Sequence, residues 1–225
     1  MHEPAVHRDW VEDDFGVTAL GSSYHNDWSR YTNDPVKHAL TYLGPTGDPA
    51  FPILLIEDLQ RLVSSPLSGE ELGRLWGALG GPLGGSPTFA GAERAWFHRL
   101  LAEVTRLAVA RGAREALWAE LPACTPEPSG TAAAEHQRLM PEVLAMARLL
   151  DRSRAGDGGP ASATGQAVER CVTLVCPELG FRFLLHALGR FGCGLTVSEY
   201  ARLEELSSAF GHGPFVVDAH RYLLR

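Results

Sequence analysis

Among nine histidines in this 225-residue chain, His25 stands out, two residues before Asp27 with Tyr24 and Trp28 on either side. A His–Asp pair can take and return a proton. Such chemistry needs more than the pair, however, and no Gly-x-Ser-x-Gly elbow or paired-carboxylate motif stands near it. His98 lacks a His-Glu-x-x-His partner, and His186, His212 and His220 stand alone in the sequence. Cys124, Cys171, Cys176 and Cys193 form no Cys-x-x-Cys pair, so buried reduced thiols are expected rather than zinc ligands. The glycine-rich run Gly80–Pro87 lacks the Lys-Ser/Thr ending of a phosphate cradle. No catalytic residue, no metal site and no cofactor is therefore expected. An enzyme built on His25 and Asp27 is kept as an alternative.

The Tyr24–Trp28 stretch has a second use. Aromatic rings with polar tips are frequent anchors of protein–protein interfaces. They also fill cores, with Asn26 or Asp27 then serving as a helix cap, and the two roles are compatible.

The elements that position these residues read as helices. Asp34-Pro35 is a helix start, with Asp as cap and Pro in the first turn, followed by Val36, Ala39, Leu40 and Leu43 on one face. Residues 53–63 form a second helix. Ser68-x-x-Glu71 and Thr196-x-x-Glu199 are capping boxes, each opening an apolar helical face. A long helix is expected from near Gly91 to near Trp118, another over 131–152, and helices again over 166–225. The last segment, from Phe215 to Tyr222, reads as either a strand or a short helix. The expected fold class is all-α: a helical bundle, in one or two modules. The breaks Pro122–Gly130 and Arg154–Gly165 mark linkers between a module over 1–120 and one over 131–225.

Three stretches carry a resemblance. Gly21 to Trp28, then Asp34-Pro35 with Ala39-Leu40, then Leu67-Ser-Gly-Glu-Glu-Leu72 at the end of a leucine-rich run, resemble immunity proteins of contact-dependent growth inhibition systems. That family commonly has Tyr-Phe-His where Tyr24 here directly precedes His25. Pro177-Glu178-x-Gly180 with Leu184-Leu185, followed by Leu195 to Tyr200 and Leu203-x-x-Leu206, resembles Maf-type immunity proteins of polymorphic toxin systems. The resemblance implies a small helical protein that binds and blocks a toxin domain, often a basic nuclease.

Charge suits such a partner. The chain carries 27 Asp/Glu and 20 Lys/Arg, and residues 1–75 hold 12 and 5 of them. An acidic first third disfavours nucleic acid and would speed encounter with a basic protein. The expected contact residues are Glu12, Asp13, Asp14, Tyr24, His25, Asp27, Trp28, Glu57, Asp58, Glu70 and Glu71. No apolar run is long enough to span a membrane, and the acidic opening does not resemble a signal peptide, so a cytoplasmic protein is expected. A helical adaptor of bacterial signalling is the alternative to the immunity reading.

Overall fold

The computed structural model describes residues 12–24, 28–30, 32–44, 50–80, 91–113, 131–153 and 159–225. The protein is all-α. Among the described residues the strand-like pairing is limited to a parallel bridge between Leu195 and Leu224. There the Leu195 N–H donates to the Leu223 carbonyl (2.8 Å) and the Arg225 N–H to that of Leu195 (3.0 Å). No described helix is long and apolar enough to cross a membrane.

The chain divides into two compact units, Phe15–Thr125 and Met1–Asp14 with Pro126–Arg225. In the first unit, α1 (Gly16–Ser22), α2 (Pro35–Tyr42), α3 (Ala50–Ser64), α4 (Gly69–Ala78) and α5 (Glu93–Ala110) follow one another. Helix α5 packs against α2, α3 and α4, while α1 lies on α3. Local chemistry sets the helix starts. The Asp34 carboxylate accepts from the Val36 N–H (2.9 Å), and Ser68 and Glu71 close a reciprocal capping box. Three carbonyls at the α3–α4 turn, of Val63, Ser65 and Leu67, accept from the Arg94 guanidinium. Gly21 is a packing requirement, since a Cβ there would stand 2.4 Å from Leu79 Cβ.

Helix α5 is shorter than the sequence suggests. It stops at Ala110, because Gly112 adopts φ +84° and turns the chain back. The Ala113 N–H then bonds the Ala108 carbonyl and the Gly112 N–H that of Val109. This double bond pattern is a Schellman ending, and Arg111-Gly112 is its local signal.

The second unit holds α6 (Thr131–Ala147), α7 (Pro160–Leu174), α8 (Pro177–Arg190), α9 (Val197–Ala209) and α10 (Phe215–Asp218). A 3-10 turn over Arg148–Arg152 ends the α6 segment, and the final segment resolves into α10 and a 3-10 turn, Arg221–Leu223. Helix α8 is central, packing against α6 and α7 and buried from Pro177 through Leu185. At Gly180 the α7 backbone approaches closely, and a Cβ would lie 2.4 Å from Val172 Cγ2 and 2.9 Å from its backbone nitrogen. The expected linker Arg154–Gly165 is corrected from Pro160 onward. Pro160 starts α7, and Ala161, Thr164 and Gly165 are buried in it.

The residues up to Asp14 group with the second unit, not with the helices that follow them in sequence. The Phe215 N–H donates to the Glu12 carbonyl (3.1 Å), and Asp14 Oδ2 lies 2.8 Å from His186 Nε2. Residues 1–14 hold five Asp/Glu and one Arg, residues 15–125 eleven and nine, and residues 126–225 eleven and ten.

Candidate functional site

Tyr24 is where the first unit's motif stretches meet. Its hydroxyl donates to the Pro35 carbonyl (2.5 Å), at the start of α2. Its ring lies edge-on to Trp28 and Trp76, with centroids 5.4 and 5.3 Å away, and 4.6 Å from the ring of His38. Behind Trp76 stand Trp96 and Phe97 of α5, at 4.6 and 5.8 Å. Burial, reinforced by the nearby Asp34 charge, pushes the Tyr24 phenol well above its ordinary pKa. His38 Nε2 lies 3.2 Å from the Ser23 carbonyl, which can only accept, so that nitrogen carries the proton. The indole nitrogens of Trp76 and Trp96 are buried with no hydrogen-bond partner among the described residues. Ser23 Oγ, which donates to the Leu20 carbonyl, also lies 3.4 Å from His38 Nε2. What the cluster does is fix Tyr24 and Trp28, the two residues that flank 25–27.

The expected contact residues divide. His25 and Asp27 lie outside the described residues. Tyr24 is buried and Trp28 half-buried. Glu12, Asp13 and Glu70 are exposed; Glu70 pairs with Arg74 along α4 (2.5 Å). Glu71 is spent on the capping box, its carboxylate accepting the Ser68 N–H (2.6 Å). Two residues are corrected. Glu57 and Asp58 do not lie on a partner-facing surface but are buried, at 8% and 1% exposure. Asp58 Oδ2 accepts the Val17 N–H (3.0 Å) in the first turn of α1, and Glu57 pairs with Arg61. Asp14 is half-buried and pairs with His186 (2.8 Å).

Polar clusters that the sequence hides lie in the second unit. Glu178 and Arg182 sit one turn apart on α8, both fully buried, with Arg182 Nε donating to Glu178 Oε1 (2.6 Å). His212 Nε2 meets the same oxygen at 2.9 Å, and His212 Nδ1 lies 3.3 Å from Ser207 Oγ. The route by which His212 arrives is local. Helix α9 ends in a Schellman motif, with Gly211 at φ +74° and the His212 N–H bonded to the Ser207 carbonyl (3.0 Å). The turn folds His212 back over the last turn of α9, where its ring completes a triangle with those of Phe181 and Phe210, at centroid distances of 5.9 and 5.7 Å.

A second cluster joins His186, paired with Asp14, to His220, whose ring lies 5.4 Å away. Burial, followed by the His186 charge, pushes His220 down to about 4, with Asp14 opposing. His186, His212 and His220, isolated in the sequence, are thus all clustered in the fold. Among the described residues no group of three or more His, Cys, Asp or Glu side chains is placed to hold a metal ion. Comparison with protein-family models, with curated proteins and with solved structures finds no match to the chain.

Proposed function

We propose that the chain is an immunity-type binding protein that neutralises a cognate toxin domain, with recognition carried by the first unit. The observation that supports this reading is the convergence on Tyr24. The stretches that carry the resemblance, 21–28, 34–40 and 67–72, are far apart in sequence. Tyr24 nonetheless bonds Pro35 and packs on Trp76 of the helix that begins in the third stretch. The motif glycine Gly21 seats against Leu79 at the end of that helix. A shared motif made of such parts is a scaffold that holds Tyr24 and Trp28 in place. Exposed Glu70 then offers negative charge to a basic partner. Binding blocks the toxin's active or substrate site.

The test is to identify, beside the gene, a large secreted protein with a variable C-terminal domain and to co-express that domain with this chain. Host survival only when the protein is present is the expected result, together with an association rate that falls as salt rises. Equal killing with and without the protein overturns the proposal.

A further inference from the structure

Cys171 and Cys176 flank the corner between α7 and α8, and both are thiols. Toxin binding by the first unit gives them no task. Cys171 stands in the last turn of α7 and is wholly buried, at 0% exposure. Cys176 is the N-cap residue of α8 and is half-buried.

The corner draws the two backbones together. The Cys171 carbonyl accepts two N–H groups, those of Val175 and Cys176, each at 3.0 Å. The bond from Cys176 spans one residue more than the α-helical pattern. In a regular helix, residues five apart are separated by a rise of about 7.5 Å before any sideways displacement, which is beyond disulfide reach. Here the covalent geometry on either side of a 3.0 Å hydrogen bond holds the two Cα atoms within about 7 Å. The corner is also packed shut. Gly180, one turn into α8, lies so close to α7 that a Cβ would stand 2.9 Å from the Val172 backbone nitrogen. Unequal exposure then sets an order of events, because a reagent in solvent meets Cys176 before it can meet Cys171.

We propose that Cys171 and Cys176 form a thiol–disulfide exchange site for low-molecular-mass disulfides of the glutathione type, with Cys176 attacking and Cys171 resolving. Cys176 gives its proton to solvent, and its sulfur attacks one sulfur of the small disulfide. A mixed disulfide forms, the small molecule's S–S bond breaks, and its other half leaves as a thiolate that takes up a proton. Cys171 Sγ then attacks Cys176 Sγ. The mixed disulfide breaks, the Cys171 proton passes to the second departing thiolate, and a Cys171–Cys176 disulfide remains. The protein's two thiols are oxidised, and one small disulfide is reduced to two thiols. The product is a covalent clasp across the α7–α8 corner.

The proposal stands apart from the toxin-binding reading and is tested on the folded full chain with oxidised glutathione. Cleavage after Arg170 and Arg182 yields one peptide that carries both cysteines. Mass spectrometry should show that peptide with two hydrogens lost, no glutathione attached, and both thiols recovered on treatment with dithiothreitol. Cys193, buried beyond the end of α8, should remain a thiol and serves as the control. In Cys171→Ser the reaction should stop with glutathione attached to Cys176. In Cys176→Ser the modification of Cys171 should be lost on the same timescale. Circular dichroism checks that both variants fold, and the native chain decides alone if either does not. Glutathione retained on Cys176 of the native chain, pairing of Cys176 with Cys124 or Cys193, or no reaction of the folded chain overturns the proposal.

Discussion

The ring cluster around Tyr24 and the buried charges around Glu178 solve the same problem with opposite materials. The first packs Tyr24, Trp76, Trp96 and Phe97 by shape and leaves two indole N–H groups without acceptors among the described residues. The second places a carboxylate, a guanidinium and an imidazole in the interior and joins them by hydrogen bonds. Shape is forgiving, because a ring can be exchanged for a similar ring. A buried charge is not, because each partner is the other's substitute for water.

The comparison is broken most directly by one substitution in each region. Glu178→Leu leaves Arg182 and its charge buried and should destabilise the protein by about 3–5 kcal/mol. Trp96→Phe removes only an unpartnered N–H and part of a ring, and should cost less than about 1.5 kcal/mol. Thermal or urea unfolding of both variants measures the difference. Equal costs would mean that Glu178 is not what offsets the buried Arg182 charge.

Acid should separate the regions next. His220 titrates near 4 in the fold, pushed down by burial and by His186, against an ordinary value of 6.5. The unfolded chain therefore takes up the proton first as pH falls. Stability is lost between those two values, by at most about 3 kcal/mol. His220→Leu should flatten this slope. In the first unit, burial tends to raise Asp34, but the Arg99 ion pair and the Val36 N–H outweigh it and hold the carboxyl below its ordinary value. That contribution is present above the ordinary carboxylate range and is lost only when pH falls below it. Urea midpoints from about pH 7 down to about pH 4 should thus fall for the native chain and stay level for His220→Leu. A midpoint that is flat in the native chain would show that His220 does not enter the balance.

Glycines give the smallest contrast. Gly21→Ala and Gly180→Ala both force a methyl into occupied space, at a cost of about 1–3 kcal/mol. Gly180 belongs at the upper end, because the methyl meets the backbone of Val172, in the last turn of α7, and not only a side chain. Gly21 belongs at the lower end, because Leu79 lies at the end of α4 and can yield. The reverse order in melting temperature would place the tighter helix contact in the first unit.

Legibility in the sequence followed distance along the chain. Both capping boxes and the Asp34-Pro35 start stand where the residues put them, because a cap is a contact over three positions. The end of α5 was equally local, but the Arg111-Gly112 signal was outweighed by the apolar pattern running beyond it. The charged residues misled for another reason. Helix α3 is apolar on most of its faces, so Glu57 and Asp58 are carried inward, where Asp58 accepts the Val17 N–H of α1. His186 finds Asp14 across 172 positions and His212 finds Glu178 across 34, separations that no motif spacing expresses. Tyr24 and Trp28 stand out in the sequence as candidate anchors, and in the fold Tyr24 packs against Trp28, His38 and Trp76, contacts that no spacing rule expresses.

The Trp76–Trp96 contact has an optical consequence. Two indoles with centroids 4.6 Å apart and planes inclined at 51° share their electronic excitation. Coupled transitions of that kind produce a pair of circular-dichroism bands of opposite sign, superimposed on the helical spectrum. The couplet depends on the register of α4 against α5 and vanishes when either ring is replaced. It therefore reports side-chain packing in the first unit separately from helix content, and without any added label.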